Sequence, residues 1–407
     1  MILLSHPTAN QNVRQAALAF AETGLLAEFW TCLHWKQGGL FDRHCPARLR
    51  RELRRRSFSS QLEPFIRTLP LREAGRLLSQ QLGLHFLTRT ETGTFSMDAV
   101  YLSLDRHVAR RLIGATGIKA VYGYDGGALE SFRAAKARGL KCIYEHPIVY
   151  WREVRRYQQE EAELHPEWKP TLTALQDSEA KLARKDAELE LANVVIVPST
   201  FSKNSLKQAP GLKAAVQVVP YGAPSVSRVA VETRAGKLAV LFVGALTQAK
   251  GLHYLLEAAA ALGPQISLTL IGNRVSPIVP APALLEKHRW ISSLAHDDLL
   301  REMASHDVLV LPSLHEGFGL VISEAMAQGL VVIATPHTVA PDLIDDGVDG
   351  FIVPIRSAEA IVEKLELLGR DPDRLYEMKQ AARRKAQAHS WEGYRRGLIR
   401  MAREVVL

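Results

Sequence analysis

Two glutamates, Glu316 and Glu324, flank a glycine-containing bend in the stretch VLVLPSLHEGFGLVISEAMAQGLVVIATP (308–336). The stretch reads as a strand ending at Pro312, a loop holding Gly317 and Gly319, a helix to about Gln328 stopped by Gly329, and a second strand. Glycines at such a bend let bare backbone approach a ligand. The unpaired N–H groups of the helix start, with the positive end of its dipole, would receive a phosphate. Glu316 falls at the C-terminal edge of its strand, the edge where open α/β sheets bind ligands. Glu324 lies about 7.5 Å further along the helix axis by the helical rise, where a carboxylate meets hydroxyls of a group attached to that phosphate. Two acids around a phosphate cradle suit a nucleotide with a sugar at each end. The same spacing also fits a plain strand–turn–helix unit with a solvated glutamate, so spacing alone leaves both readings open.

The elements that must position these residues follow from the apolar periodicity. Short apolar runs recur at Ile2–Leu4, Ala27–Cys32, Ala120–Tyr122, Lys141–Tyr144, Val194–Val197 and Val216–Val219. A second set follows at Leu238–Val243, Ile266–Ile271, Val308–Leu311, Leu330–Ala334 and Phe351–Val353. Helix-spaced stretches such as Val13–Glu22, Tyr254–Ala261 and Ser357–Leu368 separate them. Alternating strands and helices predict βαβ units and parallel sheets covered on both faces. The turn-forming stretch 222–237 (GAPSVSRVAVETRAGK) divides the runs, which predicts two doubly wound domains rather than one wide sheet or a closed eightfold barrel. The expected limits are 1–222, 238–390 and a final helical segment 391–407.

Composition bounds the rest. The chain has 407 residues, 47% apolar and 23% charged, which excludes a disordered chain, a collagen-like fibre and a small disulfide scaffold. Cys32, Cys45 and Cys142 have unrelated spacings, which argues against a disulfide framework and a structural zinc site. The opening MILLSHPTAN does not read as a secretory signal, and no apolar run approaches the ~18 residues of a membrane span. A cytoplasmic location is expected. The net charge of +8 is uneven: residues 1–150 hold 21 Lys+Arg against 12 Asp+Glu, and the remainder 30 against 31. A basic first half points to nucleic acid, anionic lipid or a phosphorylated substrate.

The EGFGLVISEA segment resembles the E-x7-E signature of the retaining glycosyltransferases of family 4, which have the GT-B fold, with Glu316 and Glu324 matching its two acids. FVGALTQAKG (242–251), LTLIG (268–272), DVLVLPS (307–313) and DDGVDGFIVP (345–354) fall in that family's order, and VIVPSTFSKNSL (195–206), VVPYG (218–222) and HPTANQN (6–12) extend the likeness loosely into the first half. The resemblance implies that Glu316 contacts the donor sugar, that Glu324 holds the ribose, and that backbone amides from Gly317 and Phe318 through Gly319, Leu320 and Val321 bind the diphosphate. It implies a donor-binding role for Gly244 and Lys250 in the first loop of the second domain, and for Gly272, Asn273 and Arg274 in the next. The family's arginine in that first loop is Ala245 here, and Arg274 is the expected substitute. His146, after the strand in CIYEHP, matches a histidine that faces the donor sugar from the first domain. The family works without a metal; no Asp-x-Asp stands at a strand end, and none is assigned.

Asn10 and Gln11 in the first loop, Tyr124 and Asp125 at another strand end, and Glu145 are the acceptor-side candidates. His315 reads as a packing residue and Ser199 as a helix cap. Two segments read as insertions: the charged helical stretch 151–191, and ARLRRELRRRS (47–57) with six arginines. As a solvated face the arginines need no function; as an amphipathic basic segment, 48–56 would hold the chain to anionic lipid at the inner membrane face. Without aromatic interleaving or a helix–turn–helix pattern, nucleic acid is not expected. The expected function is transfer of a sugar from a nucleotide-diphosphate-sugar donor to a glycan or lipid-linked acceptor, with catalysis by Glu316, His146 and Lys250. The alternatives are a GT-B epimerase or hydrolase, separated by donor consumption without a glycosylated product, and an inactive nucleotide-sugar-binding protein, which Glu316, Glu324 and Lys250 argue against and Ala245 keeps open.

Overall fold

The computed structural model describes residues 1–8, 10–36, 38, 47–227, 236–276, 279–280 and 282–406. Cys45 and residues 228–235 of the linker lie outside the described residues. Seven strands form the first sheet: β1 (Ile2–Ser5), β2 (Leu26–Thr31), β3 (Ile66–Thr68), β4 (Ala120–Tyr124), β5 (Lys141–Glu145), β6 (Val194–Val197) and β7 (Ala215–Val218). Six form the second: β8 (Leu238–Val243), β9 (Ile266–Ile271), β10 (Arg289–Ile291), β11 (Val308–Leu311), β12 (Val331–Ala334) and β13 (Gly350–Ile352). The orders are β3-β2-β1-β4-β5-β6-β7 and β10-β9-β8-β11-β12-β13, with every pairing parallel. Both sheets are open, so the closed barrel is excluded.

Each sheet reverses its winding once, between β1 and β4 in the first and between β8 and β11 in the second. At such a point the loops leaving two adjacent strands diverge to opposite faces and leave a crevice at the carboxyl edge. The loops carrying Asn10 and Asp125 leave the first crevice; those carrying Lys250 and Glu316 leave the second.

The strands are apolar on both faces because helices cover both. On one face Leu3, Val121, Cys142, Tyr144 and Val195 pack with Val100, Leu104, Phe132 and Leu189 of the flanking helices. On the other, Leu4, Tyr122, Ile143 and Ile196 join a core that continues through Val219 and Tyr221 into the second domain. A side chain buried there contributes about 1.5–3 kcal/mol over its exposed state. The two strands that no apolar run announced, β3 and β10, are three-residue edge strands that remain largely solvated.

Two segments join the domains. The final helix, Trp391–Val406, packs on the helix Gln11–Glu22 of the first domain, and Ala223 N–H donates to His389 O at 2.6 Å where the linker passes its start. The 151–191 stretch is the second. Its helix Trp151–Leu164 leaves the first domain, and Glu161, wholly buried, accepts from Gln248 Nε2 at 2.6 Å, Tyr254 OH at 2.7 Å and Arg356 Nε at 2.8 Å of the second.

Candidate functional site

The loops after β8 and β9 approach so closely that side chains are excluded. A Cβ on Gly272 would stand 1.7 Å from Gly244 O, and one on Gly251, whose φ is +69°, 2.0 Å from Pro312 O. Leu246 N–H donates to Asn273 O at 2.9 Å, and Gly272 O accepts from Trp290 Nε1 at 2.9 Å. This lacing holds the short 3-10 turn Gln248–Lys250 so that the Lys250 ammonium is ion-paired with Glu316 Oε1. Ser313 Oγ donates to the same oxygen at 3.2 Å, and Glu316 N–H donates to His337 O at 2.8 Å. Both charges are only partly shielded, so each remains open to a ligand. Arg274 donates from Nη2 to Pro280 O at 2.9 Å, within its own loop.

Beside this pair the chain turns sharply into the helix Leu320–Gln328, with Gly319 at φ +82° as its N-cap and no side chain supplying the cap. Among the described residues no acceptor receives the N–H groups of Gly317, Phe318, Gly319, Leu320 or Val321. Five adjacent donors at a helix start, next to an ammonium, form an anion cradle. Its seating is rigid: Phe318 is buried against the Tyr221 ring at 5.2 Å, and Gly317 O accepts from Ser199 Oγ at 2.6 Å and Ser202 Oγ at 3.0 Å. Ser199 also caps its own helix, accepting from Ser202 N–H at 3.1 Å. A Cβ on Gly317 would lie 1.9 Å from Pro147 O, so the cradle presses directly on the residue that follows His146.

Glu324 lies one turn into the same helix and accepts from or pairs with His296 Nε2 at 2.9 Å. The hydrogen bond to that carboxylate raises the His296 pKa above its ordinary value. His296, on the exposed start of the helix His296–Met303, carried no signal in the sequence; nothing in HDDLLREM marks its first residue as facing Glu324. His315 contacts Gln158 at 3.2 Å across the domain seam, and burial pushes its pKa down to about 4, which keeps it neutral.

On the first-domain side the candidates separate. His146 is buried, stacked on Tyr144 at 5.9 Å, with Nδ1 3.3 Å from Asp125 Oδ1. Asp125 is further held by Lys185 Nζ at 3.0 Å and the Tyr144 hydroxyl at 3.0 Å. Burial opposes its charge, but the Lys185 ammonium and the His146 ring hold its carboxyl well below the usual range. Asn10 and Gln11 are exposed at the start of the helix Gln11–Glu22. Tyr124 is buried with its ring 4.7 Å from that of His6, and so belongs to the crevice wall.

Glu145 requires a correction. It is wholly buried and faces away from the gap, accepting from Tyr122 OH at 2.6 Å, Asn12 Nδ2 at 2.8 Å, Tyr221 OH at 2.8 Å and Tyr394 OH at 3.2 Å. All of its acceptor sites are filled from within, so it is a structural junction and not an acceptor-side group. The arginine segment also divides. Arg56 turns inward to the buried Glu73 at 2.6 Å, where Arg76 joins it at 2.6 Å, while Arg54 and Arg55 are exposed in a cleft shared with Thr8, Asn10 and Arg14.

Glu188, behind Asp125, gives a pH prediction. It accepts from Gly126 N–H at 2.8 Å and Ala128 N–H at 3.0 Å and lies 2.8 Å from the Tyr144 hydroxyl, yet burial, with Asp125 beside it, pushes its pKa up to about 8. Between about pH 4.5 and 8 the unfolded chain therefore binds fewer protons at this group than the folded one. The stabilisation is fully present below that window and is lost as pH rises through it, by at most about 1.4 kcal/mol per pH unit. Thermal melts from pH 5 to 8 are expected to show Glu188→Gln gaining on the unsubstituted chain; parallel curves would mean that Glu188 is ionised in the fold.

Comparison with known proteins adds to this geometry. Residues 227–385 match the family model of the glycosyl transferases group 1. The D-inositol 3-phosphate glycosyltransferase of Corynebacterium urealyticum is 29% identical over 179 residues, 40% of this chain and 42% of that protein. The alpha-maltose-1-phosphate synthase of Mycolicibacterium smegmatis is 31% identical over 170 residues, 37% and 44%. The match thus spans about two fifths of the length of each of these two relatives. Among solved structures, the sucrose-phosphate synthase of Thermosynechococcus elongatus superposes with a TM-score of 0.68 at 20% identity, covering 99% of this chain and 98% of that one. Anabaena HepE in complex with UDP gives 0.61 at 16%, covering 99% of each. These likenesses show the fold, GT-B, with two parallel-sheet α/β domains.

Proposed function

We propose, for a GT-B chain whose residues 227–385 match the family model of the glycosyl transferases group 1, that it transfers a sugar with retention from a nucleoside-diphosphate donor to an acceptor held by the first domain. One observation carries the reading: five N–H groups at residues 317–321, without an acceptor among the described residues, lie beside the Lys250–Glu316 pair at the crevice of the second sheet. Cleavage between an anomeric carbon and a diphosphate builds negative charge on the phosphates and positive charge on the sugar. The amides and the Lys250 ammonium stabilise the first, and the Glu316 carboxylate stabilises the second. No metal ion is assigned to the diphosphate. His146 faces the donor sugar from the other domain, and Asp125, Asn10, Gln11 and the exposed arginines beside them belong to the acceptor side.

The HepE structures hold UDP and UDP-glucose, which makes uridine nucleotides the first to test. Melting temperature is to be measured with UDP, GDP, ADP and UDP-glucose, since a ligand that binds only the folded chain raises it. A shift with one nucleoside diphosphate, abolished by Lys250→Ala, is expected; no shift with any of them would overturn the reading. Glu324→Gln is expected to weaken nucleotide binding by about tenfold, since a hydrogen bond to a charged group contributes about 1.5–3 kcal/mol. Titration calorimetry with the preferred nucleotide checks this.

A further inference from the structure

Where the 151–191 segment crosses onto the second domain, His165 and Glu167 meet His253, the second residue of the helix Leu252–Leu262. One ligand atom from each of the three lies within 4.8 Å of the other two, and the imidazole rings are 4.1 Å apart. No other group of three His, Cys, Asp or Glu side chains converges this way among the described residues. Neither helix needs this arrangement to fold, because the two domains are already joined here through Glu161.

The hydrogen bonds fix which nitrogen of His165 bears its lone pair. Tyr254 has one hydroxyl proton and donates it to Glu161 Oε1 at 2.7 Å. Its contact with His165 Nε2, at 3.1 Å, therefore has the histidine donating. In the neutral ring Nδ1 is then the acceptor, and it faces another acceptor, Glu167 Oε1, at 3.7 Å. Two lone pairs facing each other at that distance repel unless a cation lies between them. Ligands at about 2.1 Å in a tetrahedral zinc site stand about 3.4 Å apart, close to the 3.7 Å between His165 Nδ1 and Glu167 Oε1.

We propose that His165, Glu167 and His253 bind one divalent transition-metal ion of the Zn2+ class, across the seam between the two domains. Two imidazoles and a carboxylate suit Zn2+, Co2+ or Ni2+ better than Mg2+ or Ca2+. The Tyr254–Glu161–Arg356 chain behind His165 is the outer-shell support that orients a ligating histidine. Glu257, 3.8 Å from His253 Nε2, or a water completes the coordination. Because His253 follows Lys250 by three residues, the ion ties the lysine's loop to the first domain. The site is separate from the diphosphate cradle and does not depend on the proposed reaction.

The test uses the full chain, stripped with EDTA, returned to chelator-free buffer and titrated with ZnCl2 by calorimetry. One equivalent with micromolar or tighter affinity is expected, with Zn2+ also raising the melting temperature. Glu167 has an exposed carboxylate whose replacement leaves the fold intact, so Glu167→Gln is one variant and His253→Gln the second. A tenfold or greater weakening of that equivalent in either variant supports the site. No such equivalent in the unsubstituted chain, or less than tenfold weakening in both variants, overturns it; the second result would mean that the ion is held by other residues.

Discussion

Glu316→Gln is expected to lower kcat for sugar transfer by about two to three orders of magnitude, the range found when one preorganised charge-stabilising group is removed from an active site. The amide keeps the shape and still accepts from Ser313 Oγ, so folding and nucleotide binding are retained. What is lost is the negative charge facing the anomeric centre. Lys250→Ala is expected to reduce kcat by a similar factor but also to weaken nucleotide binding, because its ammonium serves the diphosphate in both the ground state and the transition state. Lys250 and Glu316 neutralise each other in the unliganded chain. Removing either therefore leaves its partner's charge uncompensated, and the double variant should cost less than the two single effects combined. Steady-state kinetics of the four chains with one donor checks this; near-normal kcat in Glu316→Gln would remove that carboxylate from the reaction.

The largest stability effect is expected at Glu145. Its two oxygens receive Asn12 and three tyrosine hydroxyls, which fill the roughly four lone-pair sites of a carboxylate. Glu145→Ala strands four buried donors at about 1–3 kcal/mol each, partly offset by rearrangement, and opens a cavity. A loss of about 5 kcal/mol is expected, seen as a lowered urea midpoint for the first domain. Glu145→Gln halves the acceptor capacity and should cost about 2 kcal/mol. An unfolding free energy for Glu145→Ala within about 1 kcal/mol of the parent would mean that water replaces the carboxylate.

The strands that are covered on both faces were legible because burial leaves an uninterrupted apolar run, as in VLVL and VVIA. β3 and β10 were not, since three-residue strands such as IRT and RWI that stay solvated carry no apolar run. The glycine bend announced the cradle because close backbone approach admits no side chain. Glu145 was misread for a physical reason. An acid at a strand's carboxyl end looks the same whether it faces the crevice or the core, and its partners are polar residues up to 249 positions away that leave no periodic trace. The 151–191 stretch was legible as charged and helical, but Glu161 gave no sign that it is buried by residues of the other domain. His296 was invisible because its contact with Glu324 depends on how two helices lie side by side.

The junction at Glu145 also bears on how the chain is made. Tyr394, one of its four donors, belongs to the last helix, yet the junction lies inside the first sheet. During synthesis the amino-terminal half therefore leaves the ribosome with a buried carboxylate still short of a partner, and waits for the whole carboxy-terminal half to emerge before its interior is complete. Ribosome-stalled chains truncated before Trp391 should accordingly be more sensitive to protease in the first 220 residues than the released chain.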